Sequence, residues 1–169
     1  MSAPDQKSLE ALAAEVGELL RRNGQRLATA ESCTGGWVAQ CMTAVAGSSD
    51  WFERGFVTYS NAAKNEMLGV EHATLDRHGA VSEAVAAAMA AGALRHSHAD
   101  WALAITGIAG PDGGSISKPV GTVCFAWAGS ELGVEVTTCH FAGDRDAVRR
   151  QAVAFSLNGI LQRATELEA

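Results

Sequence analysis

Residues 99–105 form a near-continuous apolar run, Ala-Asp-Trp-Ala-Leu-Ala-Ile, that stops at a glycine-rich segment. Such a run reads as a central strand covered on both faces, which requires a layer of helices above and below it. The rest of the chain supplies them. Leu9, Leu12, Val16, Leu19 and Leu20 make a helical stripe that ends at Asn23-Gly24, a C-terminal capping pair. A short strand over about 26–30 and a helix over about 35–46 follow, and Gly47-Ser48-Ser49 reads as a turn. Phe56, Val57, Thr58 and Tyr59 form the next predicted strand, after which Ser60 caps a short helix through Lys64 and Met67. Residues 80–94 are rich in alanine, with Ser82 as their cap, and suit close packing against a sheet. Two β-rich stretches, 120–127 and 134–141, are joined by the hairpin-like link 129–133, and a last helix runs from near Asp144 to about Arg163. The expected fold is α/β: a single three-layer α/β/α domain over residues 1–169, with a mixed, mostly parallel sheet.

A chain of 169 residues can bury a sizeable core without disulfides or metal. Its formal charge of -6 and pI near 5.3 argue against a nucleic-acid surface, which needs clustered basic residues to neutralise phosphates. No apolar stretch reaches membrane-spanning length. Cys33, Cys41, Cys124 and Cys139 lack CxxC or zinc-ligand spacing, and no secretory pattern opens the chain. These features predict reduced thiols in a cytoplasmic protein that contacts neither membrane nor nucleic acid. The five histidines show no HExxH or Cys-His framework, so no metal and no cofactor is expected.

The segment Ala30-Glu31-Ser32-Cys33-Thr34-Gly35-Gly36 places a hydroxyl where a strand breaks into a helix. Backbone N–H groups and the positive end of the helix dipole stabilise an oxyanion or phosphate there, and Gly35 and Gly36 let a ligand approach the main chain. Taken alone, Ser32 is more often a helix N-cap than a nucleophile. Two further loops end predicted strands: one carries Tyr59, Ser60, Asn61 and Lys64, the other runs from Thr106 through Gly107 and Gly110 to Pro111. Ligands collect at the carboxyl ends of strands in open α/β sheets, so the three loops can share one cleft. Amide hydrolysis needs a nucleophile, a base, oxyanion donors and a proton for the leaving amine, and Ser32, Lys64, Tyr59 and loop amides can fill those roles. A serine–lysine pair works only when the lysine is desolvated enough to lose its proton, and a solvated helix lysine is the bland alternative.

The loop 107–121 is long for a compact domain and glycine-rich, yet it has neither Walker nor GxGxxG spacing. It reads as a segment that covers substrate or cradles phosphate. Arg145, at the start of the last helix, can grip phosphate bidentately or simply lie on the surface. Glu31 and Asp112 fall in candidate loops without the spacing of an acid/base pair, and Glu31 can orient Lys64 or the substrate.

Six ordered segments, AESCTGG (30–36), VTYSN with Lys64 (57–64), GAVS (79–82), TGIAGPDGG (106–114), KPVGTV (118–123) and FAGDR (141–145), together resemble the CinA C-terminal domain family. That family includes stand-alone nicotinamide-nucleotide amidases. The resemblance implies hydrolysis of nicotinamide mononucleotide to nicotinate mononucleotide and ammonia in pyridine-nucleotide recycling, without metal. It also implies Ser32 as nucleophile, Lys64 as general base and Tyr59 as a polarising or proton-relaying group. Glu31, Thr34, Gly35, Gly36, Asn61, Thr106, Gly107, Gly110 and Arg145 become expected substrate contacts, Arg145 through phosphate, and the protein is expected to be a homo-oligomer. One departure is Arg54-Gly55, where a glycine pair is expected. The competing readings are a non-catalytic nucleotide-binding regulatory module and an amidase for a different small amide.

Overall fold

The apolar run becomes β3 (Trp101–Gly107), the middle strand of a five-stranded sheet, in a computed structural model that describes residues 2–169. Six of its seven residues are buried, as a doubly covered strand requires. On one side lie β1 (Leu27–Glu31) and then β2 (Phe52–Val57), both parallel to their neighbours. On the other side β4 (Thr122–Gly129) and β5 (Gly133–His140) continue the sheet as antiparallel strands, giving the order β2-β1-β3-β4-β5. The sheet is therefore mixed, with parallel strands at the end that carries the serine loop.

Helices α1 (Gln6–Arg22), α2 (Trp37–Thr43) and α6 (Arg145–Glu168) cover one face, where Leu9, Leu20, Met42, Leu103, Ile105, Phe125 and Leu157 share one core. Helices α3 (Asn61–Leu68), α4 (His72–His78) and α5 (Glu83–Arg95) cover the other, where small residues such as Ala86, Ala90, Ala102, Ala104 and Ala126 allow close approach. The caps follow the sequence reading: Ser60 accepts from the Ala63 amide, Ser82 from Val85 and Asp144 from Ala147.

Several elements differ from the sequence reading, among them β4, which is shifted to 122–129, and the last helix, which runs on to Glu168. The second strand lies at Phe52–Val57 rather than 56–59, because Leu27 pairs with Phe52 and Glu31 with Val57. Gly55, which looks like a breaker, lies inside this strand, where a Cβ would come within 2.9 Å of Thr29 Oγ1. Helix α2 starts at Trp37 and not 35, because Gly35 and Gly36 take φ of 60° and 99°, outside the helical region. Helix α4 escaped the sequence reading, since it has one buried residue, Leu75, and no side-chain cap.

Trp127 shows how tightly α6 meets the sheet. It is buried, its Nε1 donates to the Ser156 carbonyl at 3.0 Å, and the Arg163 guanidinium lies 3.8 Å from its ring centroid. A Cβ at Gly159 would run into the same ring. Gly159→Ala is accordingly expected to destabilise by about 2 kcal/mol through overpacking, despite alanine's better helix propensity. A lower urea midpoint at unchanged m-value is the readout.

Candidate active site

The parallel register brings three strand ends level: Glu31 lies opposite Val57 on one side and Ile105 on the other. The chain leaves the sheet after Glu31, after Val57 and, two residues beyond Ile105, after Gly107, and the loops that follow line one cleft of about 270 Å³. Ser32 is held at its base. Its amide donates to the Ile105 carbonyl at 3.0 Å, so the residue is tied to the end of β3 as it leaves β1.

Lys64 reaches the same point from the first turn of α3, placed there by the Ser60 cap. Its side chain is 1% exposed, and its Nζ lies 2.9 Å from Ser32 Oγ, 2.9 Å from the Thr58 carbonyl and 3.1 Å from the Tyr59 carbonyl. No carboxylate forms a salt bridge with it among the described residues. Burial pushes its pKa below the ordinary lysine value, because the charged form loses hydration with no counter-ion in return. In the neutral amine two N–H bonds serve the two carbonyls and the lone pair faces the serine hydroxyl. A neutral amine so placed is able to accept a proton from the serine.

Glu31 has a different place from the one the sequence suggested. It is buried, and its carboxylate accepts from Thr34 Oγ1 at 2.7 Å, the Val38 amide at 2.9 Å and the Ala39 amide at 3.1 Å. Burial raises its pKa while these hydrogen bonds oppose the rise. Glu31 therefore caps α2 and pins the turn that carries Ser32; it neither lines the cleft nor touches Lys64. From the other side Arg149, which the sequence reading overlooked, donates to the Cys33 and Thr34 carbonyls at 3.0 and 3.3 Å. Among the described residues the amide of Cys33, a residue that lines the cleft, finds no backbone acceptor, so it is free to donate to an oxyanion. Cys33 itself lines the cleft, but burial pushes its thiol up to about 12, which keeps it protonated and a poor nucleophile.

Thr106, Gly107, Gly110 and Arg145 line the cleft together with Ser32, Tyr59 and Lys64. The Thr106 hydroxyl donates to the Ala80 carbonyl at 2.8 Å, fastening the end of β3 to the segment before α5. Gly107 is required by crowding: a Cβ there would meet Val123 Cγ2 at 2.8 Å and Cys33 Sγ at 3.1 Å. Arg145 donates to the Gly110 carbonyl at 2.7 Å and to the Tyr59 hydroxyl at 3.3 Å, so it spans two of the three loops. The Tyr59 hydroxyl thus faces Arg145, whereas its carbonyl contacts Lys64.

Thr34, Gly35 and Gly36 lie elsewhere, in a shallow groove behind the serine turn with Gln6, Trp37, Gln40 and Arg149. Asn61 is exposed on α3 and does not line the cleft. Asp112, named above in a candidate loop, helps complete the wall, and so do Ala80, Val81, Ile108, Ala109 and Gly113, which the sequence does not single out. Only their proximity in the folded chain reveals them, since small and apolar residues leave no chemical signature in a sequence.

The model of the CinA C-terminal domain matches residues 9–164. The chain is 58% identical over 153 residues to the nicotinamide-nucleotide amidohydrolase PncC of Escherichia coli (strain K12), covering 90% of this chain and 92% of that one. It is 53% identical over 156 residues to the protein of the same name from Pseudomonas putida, covering 92% and 96%. Among solved structures, the competence/damage inducible protein CihA from Agrobacterium tumefaciens superposes with a TM-score of 0.90 at 42% identity, covering 96% of this chain and 98% of that one. With the family model spanning most of its length and relatives this similar over nearly their whole chains, the protein belongs to the CinA C-terminal domain family.

Proposed function

We propose that this protein hydrolyses the carboxamide of nicotinamide mononucleotide, giving nicotinate mononucleotide and ammonia. The observation that carries the reading is the 2.9 Å contact between Ser32 Oγ and a buried lysine that no carboxylate neutralises. The names of its relatives supply the substrate. Ser32 Oγ attacks the carboxamide carbon while Lys64 Nζ takes its proton. The tetrahedral oxyanion is met by the Cys33 amide, and Lys64 returns the proton to the nitrogen so that ammonia leaves an acyl ester on Ser32. Water, deprotonated by the same amine, then attacks the ester, releases nicotinate mononucleotide and restores the serine.

The direct test follows ammonia and nicotinate mononucleotide together during incubation of the purified protein with nicotinamide mononucleotide. Equal yields of both support the reading. A folded protein that binds the nucleotide and releases neither would instead be a regulatory module.

Arg145 stands at the cleft mouth with a guanidinium suited to bidentate phosphate contact. Arg145→Ala is expected to raise KM for the nucleotide about tenfold to a hundredfold and to change kcat by less than about threefold, the pattern of a lost charge-assisted contact made equally in ground and transition states. Steady-state kinetics checks it. The same reading includes a homo-oligomer, supported by exposed Val134 and Val136 on the edge strand β5, and a cytoplasmic setting, in keeping with four unpaired thiols.

A further inference from the structure

Asp112 is the one carboxylate that lines the cleft among the described residues, and no other role accounts for it. It is exposed, forms no salt bridge, and accepts no hydrogen bond from the loop that carries it. Aspartate in a Pro-Asp-Gly turn ordinarily turns back on its own backbone, and this one does not. Its loop is nevertheless anchored on both sides. Arg145 holds the Gly110 carbonyl at 2.7 Å, and Lys118 Nζ donates to the His78 carbonyl at 2.8 Å, while Ser115 and Lys118 close the turn between them at 2.9 Å. A negative charge is thus held on the same rim as the Arg145 guanidinium, yet no ion pair within 4.0 Å joins them.

An unpaired anion and a guanidinium on one rim match a ligand that carries both charges. Nicotinamide mononucleotide is such a ligand: its ring nitrogen is a quaternary pyridinium and its other end a phosphate. We infer that Asp112 is a specificity-determining residue that recognises the cationic pyridinium ring, so that the protein selects the oxidised, positively charged nucleotide over its neutral dihydropyridine form. This rests on the amidohydrolase reading and adds to it a discrimination that Ser32, Lys64 and Arg145 cannot provide. None of those three favours a charged ring over a neutral one when carboxamide, ribose and phosphate are the same. The contact is solvent-accessible, so the preference is modest and falls as salt is raised.

The test uses Ser32→Ala, which removes turnover, and measures calorimetric Kd values for oxidised and reduced nicotinamide mononucleotide with Asp112 intact and with Asp112→Asn. With Asp112 the oxidised form is expected to bind about fivefold to tenfold more tightly. In the Asp112→Asn variant the preference drops below about twofold, through weaker binding of the oxidised form alone. Equal weakening of both forms would assign Asp112 to the ribose or to loop structure and overturn the inference, as would an unchanged preference. If wild type releases ammonia while Asp112→Asn keeps the preference, only this inference fails. If wild type releases none and neither form binds, the amidohydrolase reading fails with it.

Discussion

Ser32→Ala is expected to lower kcat by about 10⁴-fold or more while the protein stays folded and keeps its affinity for nicotinamide mononucleotide. The loss is large because the substitution deletes the atom that forms the covalent bond. The structure offers no substitute: Cys33 is adjacent, but its thiol is held protonated by burial, with a pKa up to about 12. The fold should tolerate the change. The Ser32 amide, not its hydroxyl, ties the turn to Ile105, and Glu31 and Arg149 brace that turn from two sides. The measurement is a pair of assays on one preparation, ammonia release and calorimetric binding. Residual turnover within tenfold of wild type would exclude a serine ester and point to direct attack by water.

How far this site was legible in the sequence depended on the kind of residue. Ser32, Lys64, Thr106, Gly107, Gly110 and Arg145 lie in loops that end strands or at a helix start, so a reading of strands and caps was enough to bring them near one another. The parallel register that levels Glu31 with Val57 and Ile105 explains why those loops meet. The limits were of two kinds. Glu31, Thr34, Gly35 and Gly36 share the serine segment but face away from the cleft, because two residues at positive φ turn the chain into α2 and the carboxylate is consumed by its N-terminus. Proximity in sequence does not give a side chain's direction. Arg149 poses the opposite problem: it braces Cys33 and Thr34 from more than a hundred residues away in α6, and nothing local marks it. For the fold itself, the buried run at β3 and the caps at Ser60, Ser82 and Asp144 were readable, whereas β2 was displaced because its start is set by pairing with Leu27 and not by its own composition.

Lys64 carries the second large effect, and its pH dependence separates a base from a structural lysine. Lys64→Met is expected to lower kcat/KM by about 10³-fold or more, and Lys64→Arg by a similar factor, because a guanidinium keeps its proton and cannot accept one from Ser32. In wild type, kcat/KM should rise with pH along a single limb as the free enzyme's Lys64 loses its proton, with a midpoint below the ordinary lysine value because burial disfavours the cation. Stability carries the same signature with a definite sign. Below the folded-state pKa both folded and unfolded chains hold the proton, and the cost of a buried charge is complete. Between that value and the unfolded value of about 10.4, the folded amine is neutral while the unfolded one is charged, so the unfolded state binds more protons and stability rises with pH by up to about 1.4 kcal/mol per unit. Above about 10.4 both are neutral and the slope vanishes. The difference in unfolding free energy between wild type and Lys64→Met, followed from neutral pH upward, isolates this one group, since every other titration is common to both. A difference that rises in step with the kinetic limb identifies Lys64 as the titrating base. A flat difference, beside a kinetic limb that survives in Lys64→Arg, would mean that the lysine stays charged beside Ser32 and that another group removes the serine's proton.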